Sequence, residues 1–201
     1  LEVGSGHEVI VPSHTYIASA TCISLVGATP VFVEIEEDYY TLDKEAVELA
    51  ITPRTRAIIA VHLYGQPVDP EIYKMAWRHG LAVIEDAAQA HGAEYKGRRA
   101  GSLGTIATFS LFANKVITSG EGGVIVTDSE ELANKCRYYR NQCFPLNGPR
   151  HFIHEDIGYN YRMTNVQAAL AWAQLGKIDD LIDGRRRVNA EYRRHLEGVP
   201  G

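Results

Sequence analysis

The sequence predicts an α/β domain with a mostly parallel central sheet flanked by helices. Short apolar runs rich in Val, Ile and Ala alternate with helical stretches over more than a hundred residues, the pattern of strand–helix–strand units. Several helical stretches open on a capping side chain and close on glycine. The chain has 201 residues, 45% of them hydrophobic, which suffices to bury a sizeable core.

Each element follows from its own residues. His7–Val11 reads as a strand closed by Pro12, and Tyr16–Val26 as a helix stopped by Gly27. Pro30–Glu34 is a second strand, and Asp43–Ile51 a short helix with Asp43 as N-cap. Arg56–Val61 is a buried strand. Asp69–His79 is a helix with Asp69 as cap, Pro70 at its first position and Gly80 at its end. Leu81–Glu85, Thr105–Phe112 and Gly123–Thr127 are further strands. Ser129–Arg140 is a helix whose first turn carries Glu130 and Glu131, where the helix dipole favours them. The stretch from Asn141 to Asn160, with Pro145, Asn147, Gly148 and Pro149, has no period and reads as a long loop of the kind that carries function. Met163, Val166, Leu170 and Ala173 then form an apolar stripe on a helix with Thr164 as a possible cap. A last helix begins near Lys177. The expected division is a large domain over 1–176 and a helix over 177–201 leading toward a further domain. A chain that begins at Leu1 and stops just after a helix is expected to be a piece of a longer protein.

Composition narrows the function classes. The net charge of −5 argues against a general nucleic-acid binder, which would carry a basic face. No apolar run is long enough to span a bilayer, so no membrane partner is expected. Cys22, Cys136 and Cys143 form no C-x-x-C pair and are odd in number, which fits free thiols in a reducing cytoplasm. Gly4-Ser5-Gly6 precedes a strand and is no dinucleotide fingerprint. Cys143, His151, His154 and Glu155 match no standard zinc spacing, so no metal is expected.

In open parallel sheets, ligands sit at the carboxyl ends of the strands. That rule selects His62–Tyr64, Asp86–Gln89 and Ser110–Lys115. A lone loop lysine such as Lys115 is far more often solvated than catalytic. Asp86 ends an apolar strand; if the chain turns into helix there, Asp86 and Gln89 share a face, and the simpler reading is that Asp86 caps the turn. Tyr16 reads nearly as well as a core residue on a helix face as it does as an aromatic exposed to a ligand.

Taken in order, Pro12-Ser13-His14-Thr15-Tyr16, Gly27 to Phe32, Glu85-Asp86-Ala87-Ala88-Gln89, Gly101-Ser102-Leu103-Gly104, Phe109-Ser110 through Lys115, Gly120-Glu121-Gly122-Gly123 and Gly158 to Thr164 resemble the DegT/DnrJ/EryC1/StrS family of sugar aminotransferases. The likeness runs over essentially the whole chain. It is greatest to the perosamine-synthase type, which aminates C4 of a nucleotide-linked 4-keto-6-deoxy sugar.

The resemblance implies the large domain of a fold-type-I enzyme that uses pyridoxal 5′-phosphate (PLP). Lys115 matches the Schiff-base lysine, whose amine is the nucleophile that imine formation with the cofactor aldehyde needs. Asp86 matches the carboxylate that keeps the cofactor's ring nitrogen protonated, and Gln89 the residue that hydrogen-bonds its phenolic oxygen. Tyr16 matches the stacking aromatic, and Ser110 the phosphate serine. Asn160 matches the asparagine delivered from the neighbouring subunit, so a homodimer with a shared active site is expected. A nucleotide-linked keto sugar and glutamate are the implied substrates, in a cytoplasmic pathway of polysaccharide biosynthesis. Two family parts are expected to lie outside the chain: an upstream Gly-Thr turn that cradles the cofactor phosphate, and the C-terminal small domain. The related sugar dehydratases carry histidine at the lysine position, so Lys115 favours transamination. A non-catalytic PLP-binding homologue is the remaining alternative, and the intact Asp86, Gln89, Ser110 and Lys115 count against it. Arg185–Arg187 reads as a solvated helix face. Arg162 is a candidate for a substrate phosphate behind a structural role, Tyr64-Gly65 for a substrate or subunit contact, and His14 has no assigned role.

Overall fold

A computed structural model describes residues 1–147 and 152–199. The loop residues Gly148, Pro149 and His151 lie outside the described residues. The chain divides into two compact units, one of Leu1–Ser110 with Gly123–Arg162, the other of Leu111–Gly122 with the chain from Met163 onward.

The first unit is a six-stranded sheet. Its strands are β1 (Glu8–Pro12), β2 (Thr29–Val33), β3 (Thr55–Val61), β4 (Ala82–Asp86), β7 (Ile106–Ser110) and β8 (Gly123–Val126). They lie in the order β2-β1-β3-β4-β7-β8. All neighbours pair in parallel except β7 and β8, which pair antiparallel, Ser110 opposite Gly123. The expected mostly parallel sheet is thus present, with an antiparallel edge strand. Two short strands that the sequence reading omits, β5 (Glu94–Tyr95) and β6 (Arg98–Arg99), form a separate hairpin.

Both faces of the sheet are covered at its central strands β1, β3 and β4, as parallel strands require. On one face Ile10, Ile58, Ala60 and Val83 pack with Val47 of α2 (Lys44–Ala50) and with Ile72, Met75 and Ala76 of α3 (Pro70–Arg78). On the other, Val9, Val11, Ala57, Ile59 and Val61 pack with Ile23 of α1 (Ala18–Leu25). The alternation of strand side chains sorts these two sets. The caps sit where the residues place them. Asp43 accepts from the Ala46 amide and Asp69 from the Glu71 amide. Ser129 accepts from the Leu132 amide at the start of α4 (Glu130–Arg140).

In the second unit, Thr164 and Gln167 form a reciprocal capping box on α5 (Asn165–Leu175), followed by α6 (Ile178–Leu196). The α5 stripe is not buried among the described residues: Val166 is 73% exposed and Leu170 51%. An apolar stripe encodes a face that needs a cover, and says nothing of where in a chain the cover lies. No helix among the described residues is long and apolar enough to cross a membrane.

Candidate active site at the carboxyl ends of the strands

β4 ends on two consecutive carboxylates. Parity sends Asp86 to the α1 face of the sheet and Glu85 to the α3 face. Asp86 Oδ2 accepts from the Ser19 hydroxyl of α1 at 2.7 Å, and Oδ1 from the Ala88 amide at 3.1 Å. Asp86 therefore caps the turn, as the simpler reading had it, and meets a side chain 67 positions away that the sequence reading did not single out. Residues 87–90 make a turn closed by Ala90 N–H on the Ala87 carbonyl, not a helix. Gln89 is set by a different contact: the Tyr64 amide donates to its Oε1 at 2.7 Å. Tyr64 lies in the one-turn 3-10 segment Leu63–Gly65 after β3, with φ 55° and ψ 17°, a left-handed conformation uncommon for a residue with a side chain. Its ring stands edge-on to His14, which also meets Tyr40 edge-on.

Tyr16 precedes α1 and is 74% exposed, so its ring is no core residue of the described chain. Its carbonyl accepts from the Ser19 amide, which ties it to the helix turn that carries the Asp86 partner. Ser110 closes β7. Asn160 forms an isolated bridge with Asn141 across the long loop.

Lys115 belongs to the second unit. Its loop is fastened by three side chains from the helices. Gln174 accepts from the Thr118 amide at 3.0 Å and donates to the Thr118 carbonyl at 2.6 Å, and Gln167 donates to the Glu121 carbonyl. Arg185 donates to the Lys115 carbonyl at 3.1 Å, so one of the three consecutive arginines does more than face solvent. Arg162 is exposed.

Beneath the Asp86 turn lies a buried polar pair. His62 Nε2 is 2.8 Å from Glu85 Oε2, with both side chains fully buried. Glu85 also accepts from the backbone amides of Gly101, Leu103 and Gly104 at 2.7, 2.7 and 2.6 Å. Burial raises the Glu85 carboxyl. The hydrogen bonds from His62, Gly101, Gly104 and Leu103 outweigh it, and the carboxyl sits below its ordinary range. Burial, and then the Glu85 charge, push the neighbouring Tyr73 phenol up. The strand-end rule located His62 and the sequence motif contained Glu85, but nothing in one sequence signals that they meet.

Cys22, Cys136 and Cys143 are free thiols. The described residues contain no group of three His, Cys, Asp or Glu side chains able to hold a metal ion, and His151 of the weighed metal set lies outside them.

The donor set fits a pyridine cofactor. A carboxylate has about four acceptor positions and Asp86 uses two, which leaves room to accept from a protonated ring nitrogen. The backbone N–H of Tyr64 can only donate, so the oxygen of Gln89 faces it and the NH2 is left to donate elsewhere.

The chain is similar to curated proteins of known activity. It is 51% identical over 195 residues to a GDP-perosamine synthase of Caulobacter vibrioides, covering 96% of this chain and 52% of that protein. It is 48% identical over 203 residues to dTDP-3-amino-3,4,6-trideoxy-alpha-D-glucose transaminase of Streptomyces venezuelae, covering 100% of this chain and 52% of that protein. Among solved structures it resembles DesV of S. venezuelae in complex with a ketimine intermediate, at 48% identity and a TM-score of 0.91, over 99% of this chain and 53% of that one. The chain spans about half the length of the curated relatives it matches. The profile of the DegT/DnrJ/EryC1/StrS aminotransferase family matches residues 1–201. PLP is the cofactor that this match and the solved neighbours indicate. The chain belongs to the DegT/DnrJ/EryC1/StrS aminotransferase family.

Proposed function

We propose that the full-length protein is a PLP-dependent aminotransferase that moves an amino group from glutamate to a nucleotide-linked 4-keto-6-deoxy sugar, with perosamine-type amination at C4. In this reading it works as a cytoplasmic homodimer, in polysaccharide biosynthesis. Residues 1–176 belong to its cofactor-binding domain, and 177–201 lead toward a C-terminal one. The observation that carries the reading is the end of β4, where Asp86 is fixed by Ser19 and Ala88 with acceptor capacity left over.

PLP, when bound, supplies an aldehyde for the amine and a ring that draws electrons from the substrate carbon. The residues do the rest. Asp86 holds a proton at the ring nitrogen, so that the ring keeps its positive charge. Gln89 donates from its NH2 to the phenolic oxygen. Tyr16 offers its exposed ring as a stacking face. Ser110 donates to the phosphate, and Asn160 does so in the partner subunit's site. The Lys115 amine is the point of covalent attachment. Once released, Nζ is the base that moves the proton at the reacting carbon.

Purified full-length protein, given glutamate and a panel of GDP-, dTDP- and UDP-linked keto sugars, is expected to yield an amino sugar and 2-oxoglutarate in equal amounts. The GDP-linked 4-keto-6-deoxy sugar is the expected best acceptor. Loss of a sugar hydroxyl without amine incorporation would contradict the reading, as would amine transfer undiminished by Lys115→Ala.

A further inference from the structure

The arrangement beneath the Asp86 turn has a direction to it. Gln89 presents its NH2 only because Tyr64 presents an N–H to its oxygen at 2.7 Å. Without that N–H, a half-turn of the carboxamide would exchange donor for acceptor, since the two ends are nearly isosteric. The Tyr64 N–H in turn points at Gln89 because Tyr64 is held left-handed, with φ 55°. A residue with a side chain stays there only when its surroundings impose it.

The surroundings that impose it converge on His62. Its backbone N–H donates to the Asp86 carbonyl at 3.0 Å, and its carbonyl accepts from the Gly65 amide, which closes the turn around Tyr64. Its Nδ1 accepts from the Val68 amide at 3.1 Å. A backbone N–H only donates, so Nδ1 carries no proton, Nε2 does, and Nε2 donates to Glu85. His62 is thereby gripped at its backbone and at both ring nitrogens.

Glu85 is gripped as firmly. Oε1 accepts from Leu103 and Gly104, and Oε2 from His62 and Gly101, so its capacity is filled. The loop that supplies the three amides is shaped for it. Gly101 has φ +93°, and a Cβ on Gly104 would lie 2.8 Å from the Val83 carbonyl. A buried carboxylate is costly to desolvate even when hydrogen-bonded, and apolar side chains of similar volume often stabilise a core as well. It does define one geometry.

We propose that Glu85 and His62 are positioning residues for Gln89: through the turn they hold, they aim the Tyr64 amide, which fixes which end of the Gln89 carboxamide faces the cofactor. The consequence for the cofactor rests on the reading of Gln89 given above; the positioning itself does not.

The test uses full-length protein and two readouts. In the cofactor-free protein, Glu85→Gln is expected to raise the hydrogen-exchange rate of the Tyr64 amide at least about tenfold, while the Ile58 amide in β3 rises only as far as the fall in global stability requires. In the holoenzyme, Glu85→Gln is expected to move the pH midpoint of the cofactor's visible band by about one unit. It should do so in the wild-type background and not in a Gln89→Ala background, because a residue acting through Gln89 has nothing left to act on. An unchanged Tyr64 exchange rate, or a midpoint shift that survives Gln89→Ala, would overturn the proposal. If Gln89→Ala alone leaves the midpoint in place, the reading of Gln89 at the phenolic oxygen has failed, and the exchange readout decides the positioning by itself. Should Glu85→Gln not fold, His62→Gln keeps a donor toward Glu85 and removes the acceptor for Val68. The same exchange and midpoint results are expected of it, and the same contrary results would count against the proposal.

Discussion

Glu85 and Asp86 are neighbours in sequence and opposites in use. Glu85 faces the α3 layer, is fully buried and accepts four hydrogen bonds. Asp86 faces the α1 layer, is partly exposed and accepts two. A carboxylate whose acceptor positions are all taken organises the protein around itself. One that keeps positions open is available to a ligand. The same strand end therefore carries one anion with its acceptor positions filled and one with positions to spare, separated only by the alternation of a β-strand.

Substitution should exchange the two phenotypes. Asp86→Asn is expected to lower kcat by about 10²–10³-fold, the usual cost of removing a preorganised electrostatic group. Its unfolding free energy should fall by less than that of Glu85→Gln, because Asn keeps one of the two acceptor oxygens and only two bonds are at stake. Equal loss of stability in both variants would erase the distinction. Glu85→Gln leaves His62 and three amides facing a neutral amide group in place of a carboxylate, and is expected to lower stability by about 3 kcal/mol in chemical denaturation.

The comparison sharpens with pH. The Glu85 pKa is lowered in the folded state relative to about 4.3 in an unfolded chain. Its stabilisation is complete above that unfolded value and is lost as pH falls through the lower folded one. The acid limb of the stability curve should be shallower in Glu85→Gln than in the wild type. A smaller effect is expected at Ser19. Ser19→Ala removes one hydrogen bond to a charged acceptor, worth about 1.5–3 kcal/mol. The loss should appear as weaker cofactor binding by absorbance titration, with turnover at saturating cofactor much less affected.

Much of the fold was legible because its signals are local. The caps at Asp43, Asp69, Ser129 and Thr164 are residue choices within one turn, and each accepts the amide expected of it. The apolar runs of β1, β3 and β4 announce strands buried on both faces. The direction of β8 was not legible, since Gly123–Val126 reads the same whichever way it pairs. Nor was the β5–β6 hairpin, whose two-residue strands are too short and polar for any period. The site divides along the same line. Lys115, Asp86 and Gln89 are proposed for it from ordered motifs. Ser19, Tyr64 and His62 act through contacts 67, 25 and 23 positions distant. The left-handed Tyr64 is a particular surprise, because the residue there is not the glycine that such a turn favours.

The central claim is that this chain carries the cofactor-binding centre of an aminotransferase with Lys115 as its attachment point. Its most direct test is borohydride reduction of the full-length protein in the presence of PLP, followed by peptide mapping. The account predicts a visible band that disappears on reduction and a single stable adduct on Lys115, absent from Lys115→Ala. A folded protein that forms no adduct, or that carries it on a different lysine, would contradict it.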